Sequence, residues 1–192
     1  MRTLSPSAEK ICVVAVEQFA ESGYDAASLN DIAVAVGMRK PSLYAHFSSK
    51  DDLFEAVFER ALEAERIYVE GCFAADRGLP GALYAERLAE RYQESAHLRF
   101  LLRAAFFPPA ELRPMISAGF EGYLARMGEF FGKALQRQLP KLDEERRALF
   151  VDAYLGVVDS LIVELIYAGQ AAYERRLKAM WTIFAGSLQV AM

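Results

Sequence analysis

The sequence predicts an all-α protein of about nine helices. Apolar residues recur at helical spacing along the whole chain, and glycines and prolines separate one periodic segment from the next. No segment alternates apolar and polar residues in the way that a half-buried strand does. Between residues 28 and 50, two short helical patterns are separated by a single glycine. We therefore expect helices throughout, with a helix-turn-helix near the amino end.

The first helix is predicted to begin at Pro6, with Ser5 as its N-cap. Proline is tolerated at this position because the first backbone N–H groups of a helix have no helical partner. We expect the helix to end before Gly23 and to bury one apolar face formed by Ile11, Ala15 and Phe19.

The next two helices form the pair separated by a glycine. Ser28 begins the first of them with a capping box, in which its hydroxyl accepts from the backbone N–H of Asp31 and the carboxylate reaches back. Gly37 ends this helix, because glycine adopts a left-handed turn without a Cβ penalty. The second short helix has Pro41 near its start and continues through Ser42, Leu43, Tyr44 and Phe47. We expect Leu43 and Phe47 to lie in the core.

Helical segments continue to the carboxyl end. Ser49 is the predicted cap of a fourth helix that reaches about Phe73, followed by a loop over 74–81. Helices are predicted over 82–95, 98–107, about 111–138 and 143–168, with a final helix after Gly169. Pro108 and Pro109 separate the sixth helix from the seventh, and Pro140 follows the seventh.

The penultimate helix is apolar on nearly every side, which indicates burial on two sides. In a chain of this size, the simplest second cover is another copy of the last two helices, which together make a four-helix interface. A monomer whose last helices close its own core is the alternative. The predicted dimer residues are Tyr154, Val158, Leu161, Ile162, Leu165, Leu177, Trp181, Phe184 and Leu188.

The composition is that of an ordered globular protein. Of 192 residues, 54% are hydrophobic and 25% are charged, but no apolar run approaches the roughly 20 residues that cross a bilayer. The start of the chain lacks the apolar segment of a signal peptide, so we expect a cytoplasmic protein without a membrane partner. Cys12 and Cys72 have no metal-ligand spacing, and we predict free thiols, no metal and no cofactor.

A net charge of −4 does not exclude DNA binding, because the charge is unevenly distributed. Residues 1–50 hold five basic and five acidic side chains, which leaves 17 basic and 21 acidic for the remainder. Residues 32–50 contain Arg39, Lys40 and Lys50 and no acid. Screening confines the interactions of exposed charges to about 8 Å at physiological salt, so the local positive field decides phosphate contact.

The segment from residue 11 to residue 53, about a quarter of the chain, resembles the amino-terminal domain of TetR/AcrR-family transcription regulators. The residues that carry the resemblance are Ile11, Ala15, Phe19, Gly23, Tyr24, Ser28, Ile32, Ala33, Gly37, Leu43, Tyr44, His46, Phe47, Lys50 and Leu53. The resemblance implies an N-terminal three-helix DNA-binding domain, here residues 1–50, and a helical ligand-binding and dimerisation domain, residues 51–192. It also implies dimerisation through the last two helices. Arg39 stands where many members have a small hydroxyl residue.

The resemblance and the charge pattern together predict the DNA-binding residues. Tyr44 and Lys50 resemble the family's phosphate contacts, while His46 is expected at a phosphate or in packing, and Ser28 combines capping with a phosphate bond. Lys50 also lies near a helix amino terminus, which favours an anion. Base edges are expected to face Arg39, Lys40, Pro41 and Ser42, because basic side chains suit guanine and proline suits a thymine methyl group.

Two structural alternatives stay open at this point. Tyr44 could be a core aromatic, and Arg39 and Lys40 could belong to a turn that only meets solvent.

A small-molecule effector of largely apolar character is the second predicted partner. Apolar side chains with a few polar groups could line a pocket, although ordinary core packing is the alternative for each of them. The candidate ligand residues are Arg103, Phe106, Phe107, Phe120, Tyr123, Met127 and Tyr154. Four glycines within the seventh helix, at 119, 122, 128 and 132, suggest close helix approach or room beside a ligand. Asp152 and Asp159 share a face of the most apolar helix and need partners if buried.

The leading hypothesis is a homodimeric, ligand-responsive regulator that binds a palindromic operator as a repressor. A helical enzyme is the first rival, but the sequence has no nucleophile elbow and no phosphate loop, and only His46 and His97 carry protons near neutral pH. A ligand carrier that has lost DNA binding is the second rival. The basic turn, Tyr44 and Lys50 argue against it.

Overall fold

The computed structural model describes residues 2–191, which form nine helices and no strand. They are α1 (Pro6–Ala26), α2 (Leu29–Ala35), α3 (Lys40–Tyr44), α4 (Lys50–Ala75), α5 (Ala82–Glu94), α6 (Ala96–Phe106), α7 (Arg113–Gln138), α8 (Glu144–Tyr167) and α9 (Gln170–Ala191). The all-α prediction is confirmed, and most predicted helix limits agree within about two residues. Two predicted ends are wrong, because α1 continues past Gly23 to Ala26 and α3 ends at Tyr44, before Phe47. Gly23 interrupts α1 with a φ of 77°, at the position where the sequence predicted the helix to end.

The predicted caps are confirmed at three helix starts. Ser5, Ser28 and Ser49 each accept a hydrogen bond from the backbone N–H three residues further on, at 3.1 to 3.3 Å. Each bond satisfies one of the N–H groups that a helix start leaves without a helical partner. Ser95, predicted as the last residue of the fifth helix, instead caps α6 by accepting from the N–H of Leu98 at 3.1 Å.

The chain divides into two compact units. The first contains residues up to Glu65 together with Gln93–Glu121, and the second contains Arg66–Tyr92 together with residues from Gly122 onwards. Both α4 and α7 contribute residues to each unit. The predicted boundary at residue 50 divides a DNA-binding domain from a ligand-binding and dimerisation domain, and this division stays a prediction. The compact unit that holds α1, α2 and α3 extends well beyond that residue.

The first unit is centred on aromatic side chains from three helices. Phe54 of α4 lies 5.2 Å from Phe19 of α1 and 5.0 Å from Phe100 of α6, measured between ring centroids. Phe58 adds a further ring 6.4 Å from Phe100. All four side chains are at most 2% exposed. Residues from α6 therefore complete the core on which α1 and α4 pack.

The second unit has its own aromatic core. Tyr154 of α8 stacks on Phe131 of α7 with a centroid distance of 4.2 Å, and its hydroxyl donates to the carbonyl of Gly81 at 3.2 Å. Burial raises the pKa of Tyr154 well above its usual value, so the hydroxyl stays protonated. Tyr173 of α9 donates to the carbonyl of Ala85 in α5. Two buried tyrosines thus connect α8 and α9 to the α5 segment.

The glycines of α7 have different surroundings. A Cβ at Gly119 would lie 2.4 Å from the Phe58 ring, and one at Gly128 would lie 3.0 Å from Val151 of α8. Close helix approach therefore accounts for these two, as one of the sequence-based alternatives predicted. Gly132 makes only ordinary contact with Val151, and Gly122 faces open space.

None of the helices within residues 2–191 is long and apolar enough to cross a bilayer. Over the same residues, no three histidine, cysteine, aspartate or glutamate side chains are grouped as metal ligands.

Candidate nucleic-acid interface

The connection between α2 and α3 is a tight turn built around Gly37. This residue has a φ of 73°, and the following backbone N–H, of Met38, donates to the carbonyl of Ala33 at 2.8 Å. The N–H of Gly37 itself donates to the carbonyl of Val34. These bonds satisfy carbonyls at the end of α2, and the left-handed conformation explains why the turn requires glycine. The predicted helix-turn-helix is confirmed.

Helix α3 has one buried face and one exposed face. Leu43 and, just after the helix, Phe47 are completely buried, as predicted. Tyr44 is 45% exposed, so the alternative of a core aromatic is wrong. The exposed face carries the remaining predicted DNA-reading residues, which are Arg39, Lys40, Pro41 and Ser42. Five of the eight predicted DNA-binding residues are therefore exposed within or directly beside α3.

Arg39 is the N-cap of α3, but its side chain makes no capping hydrogen bond. A serine or threonine at this position would accept from an early N–H of the helix. The guanidinium is instead exposed beside the helix start. Lys40 lies next to it, with its Nζ 6.0 Å from the centre of the Tyr44 ring.

Lys50, at the start of α4, is held more firmly than the basic residues of α3. Its side chain is half-buried, and its Nζ donates to the carbonyl of Asp25 at 3.1 Å. The same atom lies 4.5 Å from the centre of the Tyr24 ring. Ser28 and His46, the other two predicted DNA-binding residues, are also half-buried. The hydroxyl of Ser28 is engaged as the cap of α2.

The first turn of α4 already contains negative charge. Asp52 accepts from the backbone N–H of Ser48 at 2.8 Å and from Arg2 at 2.8 Å. Burial alone would raise the pKa of Asp52, but these hydrogen bonds hold it below its usual value. Asp51 accepts from the Tyr24 hydroxyl. Two carboxylates therefore complement the helix dipole here, and any phosphate contact at this end depends on the Lys50 ammonium rather than on the helix start.

The predicted ligand residues are divided between the two units. In the first unit, Arg103 of α6 donates to the carbonyls of Ala20 and Glu21, at 3.3 and 3.1 Å. These carbonyls lie near the end of α1, so this guanidinium caps a helix. Phe106 and Phe107 are 38% and 64% exposed. The other first-unit residue, Phe120, packs 5.7 Å from Phe58. In the second unit lie half-buried Tyr123 and fully buried Met127 and Tyr154.

The predicted dimer residues also separate into two groups. Tyr154, Val158, Leu161 and Leu188 are at most 1% exposed, while Leu165 and Phe184 are 9% and 6% exposed. Side chains enclosed in this way by their own chain have little or no surface to offer a partner. Ile162, Leu177 and Trp181 are half-buried. The exposed apolar side chains of α8 and α9 are others, namely Leu149, Val163, Tyr167, Ile183 and Val190.

Asp152 and Asp159 are both exposed on α8, although partial burial raises the pKa of the Asp159 carboxyl above its usual value.

Two features of the interface were missed by sequence reasoning. Tyr24 was noted only for the family resemblance, but it faces Lys50 from a position 26 residues earlier. Arg2 bonds Asp52 across 50 residues. Neither pair has a periodicity or a motif that a single sequence would reveal.

Comparison with known proteins agrees with this geometry. The profile of the family described as "Bacterial regulatory proteins, tetR family" matches residues 11–57. The HTH-type transcriptional activator FasR of Mycolicibacterium smegmatis is 43% identical over 54 residues, which are 28% of this chain and 25% of FasR. The biofilm operon icaADBC HTH-type negative transcriptional regulator IcaR of Staphylococcus aureus is 47% identical over 47 residues, which are 24% of this chain and 25% of IcaR.

The chain therefore matches about a quarter of the length of these curated relatives. A TetR-family transcriptional regulator from Cytophaga hutchinsonii has the same fold over 96% of this chain and 98% of its own, with a TM-score of 0.72 and 17% identity. Each of these proteins is named as a transcriptional regulator, in agreement with the prediction that the chain is not an enzyme. Residues 11–57 therefore match the tetR family of bacterial regulatory proteins, and the described chain has the fold of a solved TetR-family regulator.

Proposed function

We propose that this protein is a homodimeric, ligand-responsive repressor that binds a palindromic DNA operator through α2 and α3. The observation that carries the proposal is the two-sided character of α3. Leu43 anchors the helix in the core, while Arg39, Lys40, Pro41, Ser42 and Tyr44 are exposed together. A short helix fixed on one face and rich in donors on the other suits the major groove.

The residues have separate roles in this proposal. Arg39 and Ser42 read base edges, because a guanidinium can bond two guanine acceptors and a hydroxyl can donate or accept. Tyr44 and Lys50 contact phosphates and set the position of the helix on the duplex. Repression is the direction that IcaR's name states for that relative. It requires only occupation of the operator, whereas activation requires a further protein contact.

The homodimer is supported by the exposed apolar surface of α8 and α9. Leu149 and Ile183 are 64% and 73% exposed, and they border an apolar groove of about 480 Å³ between the two helices. Exposed apolar area of this kind is costly in water and is typical of an interface. A second copy would cover it with the same surface, which gives the two-fold symmetry that a palindrome requires.

Ligand response is the part of the proposal that links the second unit to the operator. This unit has a groove of about 530 Å³ between α7 and α8, whose lining includes Gly132 and the polar side chains of Arg147 and Asp152. A small molecule that favours one spacing of the two α3 helices would change operator affinity. By linkage, operator DNA must then change the ligand's affinity by the same factor.

Substitutions on the proposed DNA-binding surface should distinguish residues that contact phosphates from residues that read bases. After bound duplexes are selected from a random pool, Lys50→Ala should weaken binding to every duplex by about tenfold. It should also reduce the slope of log affinity against log salt by about one unit per subunit, since one phosphate contact is lost. Arg39→Ala should instead change which duplexes are preferred. Fluorescence anisotropy over a salt series measures both effects.

Lys141→Ala is the matched control, because it removes the same charge from an exposed site in the second unit. It should leave affinity and sequence preference unchanged. Selection that returns no symmetric duplex, or equal losses for Arg39→Ala on all duplexes, contradicts the proposed reading.

Ile183→Glu is expected to convert the dimer into monomers. The new carboxylate would be buried against the second copy with no cation to pair with it. Removing a charged group from water in this way costs several kcal/mol. Sedimentation of the wild type at micromolar concentration should give twice the chain mass of 21.4 kDa, and the variant should give the single mass. Ile67→Glu, at a 57% exposed residue of α4, is the control and should remain dimeric. A monomeric wild type contradicts the dimer.

A further inference from the structure

The Lys50 side chain is fixed in a way that is unusual for a surface lysine. A lysine has four rotatable side-chain bonds, and its ammonium normally samples many positions in water. Here the Nζ donates to the carbonyl of Asp25 at 3.1 Å and lies 4.5 Å from the centre of the Tyr24 ring. Both contacts come from the end of α1, outside the helix-turn-helix. The ammonium is therefore placed by residues that need not touch DNA themselves.

We propose that Tyr24 is a positioning residue for DNA binding, whose ring face holds the Lys50 ammonium where it meets a backbone phosphate. This inference rests on the proposed function, because it assigns Lys50 a phosphate contact. The residue acts through Lys50 and requires no bond of its own to DNA.

The bonding capacity of the ammonium fits this role. Of its three N–H donors, one is directed at the Asp25 carbonyl. The aromatic face attracts the positive charge through the ring quadrupole without accepting a conventional hydrogen bond. Donor capacity is thus left for a phosphate oxygen. A lysine that is already ordered also loses less conformational entropy when the phosphate binds.

Tyr24 is itself held at both ends. Its ring lies 5.5 Å from Phe54 and 6.4 Å from Phe19, both in the aromatic core of the first unit. Its hydroxyl donates to Asp51, in the first turn of α4. Burial, followed by the bond to Asp51, raises the pKa of Tyr24 to about 12, so the side chain stays neutral and brings no negative charge towards a phosphate.

The Asp51 carboxylate follows Lys50 directly and would repel a phosphate that approached it. The Tyr24 hydroxyl engages this carboxylate, while the ring of the same residue faces the ammonium. One side chain thus fixes both the attractive and the repulsive charge beside the proposed phosphate contact. No other residue type combines a large aromatic face with a hydroxyl donor at this length.

A double-mutant cycle tests the inference on the full-length protein. Tyr24→Leu removes the ring, and Lys50→Ala removes the ammonium. If Tyr24 acts through Lys50, Tyr24→Leu should weaken duplex binding about fivefold to tenfold in the wild-type background, with a salt slope reduced by up to one unit per subunit. In the Lys50→Ala background, the same change should have no further effect on affinity or slope. Equal losses in both backgrounds would show that Tyr24 is only structural and would overturn the inference.

Nuclear magnetic resonance of the free protein gives a second measurement, which holds even if Tyr24→Leu folds poorly. With ¹³C-labelled lysine, the Cε protons of Lys50 should be shifted upfield by the ring current of Tyr24. Tyr24→Phe keeps the ring and should preserve this shift, while duplex affinity should fall less than in Tyr24→Leu, because only the hydroxyl bond to Asp51 is lost. A Lys50 signal at the position of a free lysine side chain in the wild type contradicts the inference.

These experiments distinguish a failure of the proposed function from a failure of the role proposed for Tyr24. If the wild-type protein binds no duplex at any salt concentration, the proposed function fails. If the wild type binds DNA and Lys50→Ala weakens it, but the cycle shows no coupling, only the role of Tyr24 is rejected.

Discussion

Replacing Phe100 with alanine is expected to lower the free energy of unfolding by about 3 to 5 kcal/mol. The side chain is 1% exposed, and its ring lies between 5.0 and 6.4 Å from the rings of Phe54, Phe19 and Phe58. The substitution would leave a cavity among aromatic groups from α1 and α4 that are themselves held on several sides. These neighbours cannot collapse far enough to fill it, which places the cost near the upper end for a large-to-small change.

The loss would reach the DNA-binding surface, although Phe100 lies in α6 and outside the helix-turn-helix. The free energy of unfolding of a domain of this size is about 5 to 15 kcal/mol, so the variant would lose a large fraction of its stability. The midpoint of thermal unfolding should fall by roughly 10 °C. Duplex binding at elevated temperature should be lost before that of the wild type, because the orientation of α2 and α3 depends on the same core.

Phe107→Ala is the matched control, because it removes the same ring from a residue that is 64% exposed at the end of α6. Its effect on unfolding should stay within about 0.5 kcal/mol. Chemical denaturation of the three proteins provides the comparison. Similar midpoints for Phe100→Ala and the wild type would mean that α6 does not complete the core of the first unit.

The local features of this fold could be predicted from the sequence because their causes lie within a few residues. A serine cap acts on an N–H three positions away, as at Ser28, and the turn at Gly37 depends on the conformation of one residue. The exposed face of α3 could be predicted for the same reason. Leu43 and Phe47 are four residues apart and fix which side of the helix faces the core.

The remaining features depend on contacts that join distant parts of the chain. The Lys50 ammonium is held by Asp25 and Tyr24, which precede it by 25 and 26 positions in the chain. The core of the first unit also includes Phe100, which lies outside the predicted DNA-binding domain. Tyr154 illustrates a different limit. It belongs to a set of apolar residues at helical spacing, and such a set fits a ligand pocket, a dimer surface or a core equally well. Only the structure shows that the Tyr154 ring is buried and that its hydroxyl donates to the carbonyl of Gly81.

This environment makes Gly81→Ala the second substitution with a large expected effect, a loss of about 3 kcal/mol in the free energy of unfolding. Gly81 has a φ of 80°, and forcing a residue with a Cβ into the left-handed region costs roughly 1 to 2 kcal/mol. The added Cβ would also lie 2.3 Å from the ring of Tyr154. Overpacking of this kind costs about 1 to 3 kcal/mol when the neighbour cannot move.

Tyr154 has little freedom to relieve the clash. Its ring stacks on Phe131 at 4.2 Å, and Phe73 and Phe184 lie 5.9 and 6.2 Å away. Its hydroxyl donates to the carbonyl of Gly81 itself, so any movement away from the new Cβ would lengthen this hydrogen bond. The strain would therefore spread to α7 and α8, and with them to the surface through which we propose that the protein dimerises.

Gly78→Ala, in the same loop, separates this effect from the general cost of adding a methyl group. A Cβ at Gly78 would meet only the Asp76 carboxylate, at an ordinary 3.8 Å, so its stability should change by less than about 0.5 kcal/mol. Denaturation curves for both variants measure the difference, and sedimentation reports whether the dimer weakens with the fold. If the two alanine variants were equally stable, the close packing of Gly81 against Tyr154 would not contribute to the stability of the second unit. A stable but monomeric Gly81→Ala would show that the Tyr154 ring controls the outer surface of α8 more than the core beneath it.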